Sequence, residues 1–238
     1  MKESVIATVV QAVQFNHLDI VQYYIENNLI ASSGVDENGC TLLHWAAINN
    51  RIPIASYLLN AGANINQTGG TLSETPLHWA TRRELMPMIN FLVMNGADLS
   101  IKSSNGSDAL RLACEIGKGS ISSSLISVIN FCLGNINIIF LLLSRGANPN
   151  TVDNNGDTSL HWILKNHHDS TNTIRLLLRF GADLCLADSD QGDNAYHICA
   201  KTGDSCNVYV LYLLHKVGGG TAMTRTNRRG LTPLQVRH

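Results

Sequence analysis

The sequence is poor in charge. Asp, Glu, Lys and Arg make up 15% of its 238 residues, against about 25% in an ordinary soluble domain, and the net charge is −1. The basic excess that nucleic acid or an acidic membrane face demands is missing, which excludes nucleic acid as a partner. The six cysteines (Cys40, Cys114, Cys132, Cys185, Cys199 and Cys206) form no Cys-x-x-Cys pair and have no regular spacing. That argues against a metal site and a disulfide framework, and for a reducing compartment. No cofactor is expected either. The N-terminal stretch MKESVIATVVQAVQF carries Glu3 and lacks a long apolar core, so it does not read as a secretory signal.

What the chain does have is internal repetition. TLLHWA begins at Thr41, TPLHWA at Thr75, TSLHWI at Thr158 and TPLQV at Thr232, with weaker copies from Asp108 and Asn194. Gly-Ala-Asx follows an apolar run at Gly62, Gly96, Gly146 and Gly181, and Asn-Gly recurs at Asn38, Asn105 and Asn155. Each signal has a physical task. Thr is an N-cap, and a Pro after it already has the φ of the first helical residue. Ala46, Ala47 and Ala80 let helices approach closely. The Leu-rich run is the buried face of a second helix, and Gly takes the left-handed position that ends it. Asn-Gly makes the tip of a hairpin-like loop. Three phased signals about 33 residues apart resemble the ankyrin repeat.

The resemblance implies an all-α solenoid of about seven helix-turn-helix repeats. They fall at about 4–35, 36–70, 71–103, 104–152, 153–187, 188–225 and 226–238, the first and last incomplete. Ending one turn into the seventh repeat would leave an apolar face uncovered, so a longer parent protein is expected. Leu43 to Leu77 spans 34 residues and Leu77 to Leu110 spans 33, but Leu110 to Leu160 spans 50. The excess falls on an insertion at 118–134. It reads as a tolerated loop, as part of a charge-free membrane span within Gly119–Ser144, or as an unspliced intron, because deleting it restores the repeat in frame. Six serines and three asparagines in that window weigh against the membrane span, and its second half is needed as a repeat helix.

Thr41–Arg51 and the segment GGTLSETPLHWATR at Gly69–Arg82 are similar to the N-terminal ankyrin domain of DHHC-type palmitoyltransferases of the huntingtin-interacting subgroup. Trp after the motif His and the Gly-Gly-x-Leu lead-in carry that similarity. It implies a domain that recruits client proteins for S-acylation from the cytosolic face of Golgi or other endomembranes. The acyl-transfer centre is absent from this sequence. His167-His168-Asp169 has the wrong order and no nearby cysteines, so no catalytic residue is assigned. A free-standing ankyrin adaptor is the alternative; a channel or transporter built on Gly119–Ser144 is disfavoured.

Trp45, Trp79 and Trp162 each follow a motif histidine, on the side of the first helix that lines the concave groove of an ankyrin stack. They read either as a binding strip or as packing between neighbouring helices. The resemblance points to Asn49 and Trp79 as holding an extended client motif with β-branched residues followed by Gln-Pro. Trp79 would stack on the proline while Asn49 bonds the peptide backbone. Asn49 reads equally as part of the inter-helix turn, with Asn50 in its left-handed position. His44, His78, His161 and His197 read as structural hydrogen-bonders. Arg83-Glu84 stands where Gly is usual between helices, so that turn is expected to be distorted, and Arg111 replaces the histidine of the fourth repeat. A monomer without direct membrane insertion is expected.

Overall fold

The computed structural model describes residues 2–116, 125–166, 171–202, 212, 214–216 and 220–236. Among these all regular structure is helical, and only isolated bridges such as Val35 to Thr41 and Val152 to Thr158 join extended backbone. The chain divides into two compact units, Met1–Asn105 and Gly106–His238.

In the first unit, three helix pairs follow one another: α1 (Lys2–Gln14) with α2 (Leu18–Glu26), α3 (Leu42–Ile48) with α4 (Ile52–Asn60), and α5 (Pro76–Arg82) with α6 (Met86–Met94). The first helices stand in a row, α3 between α1 and α5. Small residues allow this, because Ala46, Ala47 and Ala80 are fully buried where larger side chains would hold the helices apart. Ile54, Leu58, Ile89 and Leu92 supply the buried stripe of the second helices. The second unit holds α7 (Ala109–Ile116), α8 (Leu125–Ser144), α9 (Ser159–Asn166), α10 (Thr171–Arg179) and α11 (Ala195–Thr202), with α9 between α7 and α11. Gly62, Gly96, Gly146 and Gly181 all have φ near +90°, in keeping with their expected role as helix terminators.

The Thr and His of each motif act together. Thr41 Oγ1 accepts from His44 N at 3.3 Å, and His44 Nδ1 accepts from Thr41 N at 3.0 Å. This is a capping box with His in the place usually taken by Glu or Gln, and it recurs at Thr75–His78 and Thr158–His161. Because Nδ1 accepts a backbone N–H, the proton sits on Nε2. That nitrogen donates to a carbonyl of the next repeat at Glu74 O from His44 (2.9 Å) and Leu231 O from His197 (2.9 Å), and to Leu186 O near the end of its own repeat from His161 (3.0 Å). Arg111 makes the equivalent tie by charge. Its guanidinium, 4% exposed, pairs with Glu115 and Asp153, each at 3.0 Å.

Two expectations need correction. The turn at Arg83-Glu84 is not distorted. Its backbone bonds (Arg83 N to Trp79 O, Glu84 N to Thr81 O, Leu85 N to Ala80 O) repeat those of Asn49, Asn50 and Arg51 in the preceding repeat. Glu84 simply adopts the left-handed φ of +55° that Asn16 and Asn50 adopt, so the departure is stored as local strain in one residue. In the insertion, residues 125–134 are helical and continuous with the repeat's second helix. α8 is therefore 20 residues long and begins ten residues ahead of Asn135, where the repeat spacing would start it. Its second half buries Ile138, Ile139, Leu142 and Leu143, as the repeat requires. Residues 118–124, His167-His168-Asp169 and Cys206 lie outside the described residues. No described helix is long and apolar enough to cross a membrane.

Burial lowers the pKa of His44 and His161, because the imidazolium form loses its hydration. The unfolded chain therefore binds these protons more readily than the folded one. Their contribution is fully present above the unfolded value of about 6.5 and is lost as pH falls below it. The thermal midpoint should drop between pH 7.5 and 5.5, and a His44→Gln/His161→Gln variant should show a flatter dependence over the same window. Glu84→Asn should stabilise the fold by about 1 kcal/mol, because Asn tolerates the left-handed region. Thermal denaturation should show this as a rise of roughly 2–4 °C.

Candidate peptide-binding cleft

The loops that lead into α3 and α5 shape a cleft in the first unit. Asp36 organises the first loop. Its Oδ1 accepts from Asn38 N and Cys40 N, both at 2.9 Å, and its Oδ2 accepts from Trp45 Nε1 at 3.0 Å. The carboxylate thus satisfies the indole's one polar atom and fixes the ring against the loop. In the second loop the stretch from Gly62 to Thr75 is one residue longer than Gly96–Asp108 or Gly146–Thr158, and Gly69-Gly70 accommodates the difference. A Cβ on Gly69 would lie 2.5 Å from Gly39 O, so only glycine permits this approach. Gly70 has φ +74°, donates to Asn38 O at 3.0 Å and lies behind the Trp79 ring.

The result is an open cleft of about 410 Å³ lined chiefly by Trp45, Ile48, Leu72, Trp79, Gly69 and Gly70, with Glu74 and Arg82 at one side. Trp45 and Trp79 meet edge to face with centroids 5.6 Å apart, and the His44 ring meets Trp79 at 5.2 Å. Both indoles are half-buried. They pack between neighbouring first helices and also present a wall to the cleft. Glu74 is buried, its carboxylate bound by Arg82 and its backbone carbonyl by His44.

The other two site candidates lie elsewhere. Asn49 caps the end of α3, its Nδ2 donating to Trp45 O at 2.8 Å, and it is not among the residues lining the cleft. Asn50 takes the left-handed φ of +56°. Trp162 belongs to the second unit, where the Arg111 guanidinium lies 4.8 Å from its ring centroid and covers one face. Sequence reasoning missed Asp36, Leu72, Glu74 and Arg82. The signals were available in an Asp five residues before Thr41 and an acid–base pair eight residues apart. Burial pushes the thiol pKa up to about 11 at Cys40 and about 12 at Cys114 and Cys199, so these thiols stay protonated at neutral pH.

Comparisons with known proteins agree with this architecture. The family profile "Ankyrin repeats (3 copies)" matches residues 7–69 and 125–227, and the profile "Ankyrin repeat" matches 73–104. The chain is 35% identical over 229 residues to a Saccharomyces uvarum protein named "Probable palmitoyltransferase AKR2", covering 95% of this chain and 29% of that one. It is 29% identical over 197 residues to palmitoyltransferase Hip14 of Drosophila melanogaster, covering 74% of this chain and 30% of that one. The chain therefore spans less than a third of the length of these relatives. The crystal structure of the ankyrin repeat domain of Bcl-3 superposes with a TM-score of 0.77 at 22% identity, covering 96% of this chain and 92% of that one; at that identity it speaks to the fold alone.

Gly69→Ala should displace the second loop from Gly39 and Cys40 and destabilise the first unit by about 1–3 kcal/mol, the usual range for overpacking. Denaturant titration followed by tryptophan emission reads both effects. An unchanged midpoint would show that the loop has room for a methyl group at this position.

Proposed function

Given that this chain belongs to the ankyrin-repeat family, with repeats homologous to the ankyrin region of palmitoyltransferases, we propose that it is a client-recruiting module for protein S-acylation. The acyl-transfer chemistry would reside in a catalytic domain outside this chain, at the cytosolic face of Golgi or related endomembranes. The observation that carries the reading is the open, largely apolar cleft walled by Trp45 and Trp79. Two rigid aromatic faces offer large contact area at little entropic cost, the usual make-up of a peptide anchor site.

The occupant is an extended client segment with β-branched residues followed by Gln-Pro. A proline ring fits against the Trp79 face, because it is flat and already restricted in φ. Asn49 lies outside the cleft, one helical turn from Trp45. With its Nδ2 engaged on Trp45 O, it would act through its remaining acceptor, receiving a peptide N–H beyond the cleft rim. Trp162, in the second unit, would offer a client only the ring face that Arg111 leaves open. The module acts as a monomer in this reading.

Trp79→Ala should weaken binding of a fluorescein-labelled peptide with β-branched residues followed by Gln-Pro by about thirtyfold, the size of an interface hot spot of about 2 kcal/mol. Far-UV circular dichroism should stay unchanged. A variant that unfolds would make Trp79 a core residue, and an intact variant with wild-type affinity would remove the cleft from client binding.

A further inference from the structure

In three repeats the residue before the N-cap and the residue eight positions later form a clasp. It is Glu74 with Arg82, Asp157 with Lys165 and Asp193 with Lys201. In each the acid is nearly buried and the cation is a third or more exposed, so the positive end faces outward. Lys165 shows how such a cation is completed. Its ammonium holds Asp157 at 2.7 Å and also Asp188 at 2.9 Å, and Asp188 comes from the loop that leads into the next repeat. Acids occupy that loop position in other repeats as well, at Asp36 and Asp153. The loop that follows Arg82 carries Ser103 there instead.

Arg82 is therefore a clasp with one carboxylate where Lys165 has two. Its guanidinium has five donors in a planar fork. Glu74 takes one of them, and the rest make no further bond among the described residues. The side chain is 44% exposed beside a cleft whose other lining residues, Glu74 aside, are uncharged. We propose that Arg82 receives a carboxylate from the client, an Asp or Glu side chain beside the apolar residues that occupy the Trp45–Trp79 cleft. This rests on the cleft being the client site. Glu74 acts as the positioning residue, holding the fork so that its free edge faces the cleft mouth. The outward-facing cation offsets the like charge of the buried acid, as Lys165 does between its two aspartates.

The test uses the full chain and a series of peptides with β-branched residues followed by Gln-Pro, in which Glu is scanned through the remaining and flanking positions, each with a Gln counterpart. Fluorescence polarisation should show one position where Glu binds about tenfold tighter than Gln, with the preference shrinking as salt rises. Glu74→Gln/Arg82→Met removes the clasp without leaving a buried charge, and should bring the ratio of Glu- to Gln-peptide affinity at that position to about one. Ser103→Asp supplies the second carboxylate from within, and should erase it with Arg82 in place. Wild-type binding of the Gln series with no position favouring Glu overturns this proposal and leaves the cleft standing. A preference that survives both variants also overturns it. Failure of every peptide to bind overturns the cleft and the carboxylate together.

Discussion

Within each unit the structure depends on a bond that a motif histidine makes to the repeat that follows, from His44 to Glu74 O in the first and from His197 to Leu231 O in the second. One ring nitrogen closes the helix start by accepting the N-cap backbone N–H, and this forces the proton onto the other, which donates to a carbonyl one repeat on. Local capping and long-range stacking are thus two ends of one side chain. A helix of seven or eight residues is too short to be stable alone, so neither end suffices by itself. The buried position of the ring keeps it neutral, and neutrality is what allows one nitrogen to accept while the other donates.

The cleft follows from the same frame. Stacking places first helices side by side at close range, which requires alanine at their interface and brings the residues after each histidine together. Where those residues are Trp45 and Trp79, the stack yields two indoles in edge-to-face contact with their outer faces half open. Asp36 and the glycine pair then set how far the loops retreat from them. In the second unit the corresponding place is also an open cleft, of about 380 Å³, but its lining is charged, with Lys165, Asp188, Asp193 and Lys201. The same backbone plan therefore carries an apolar cleft in one unit and a charged one in the other.

Much of this was legible in the sequence, because repetition multiplies weak signals. Helix starts at Thr, helix ends at Gly-Ala-Asx and the buried histidines all follow from local chemistry repeated at one spacing. What stayed illegible was either compensated or unrepeated. Glu84 in a left-handed turn looked like a fault, yet the backbone bonds on both sides hold the turn and confine the strain to that residue. The early start of α8 at Leu125 has no counterpart in other repeats from which to extrapolate. Asn49 illustrates a different limit. Its chemistry suits peptide binding and helix capping alike, and only the bond to Trp45 O shows which of its groups is committed.

Arg111 has an implication for how such a chain could be rearranged. The histidine ties address a main-chain oxygen, which every amino acid supplies, so those joints would accept almost any neighbouring repeat. Arg111 instead addresses the side chain of Asp153 from a buried position, and a neighbour without that acid would take away one of the two carboxylates that balance its charge. A joint that rests on a histidine tie is therefore an interchangeable coupling, whereas the one after the fourth repeat is keyed, as is the next, where Lys165 meets Asp188. Recombination could shuffle the former freely, but the keyed junctions would have to travel with both halves of their locks.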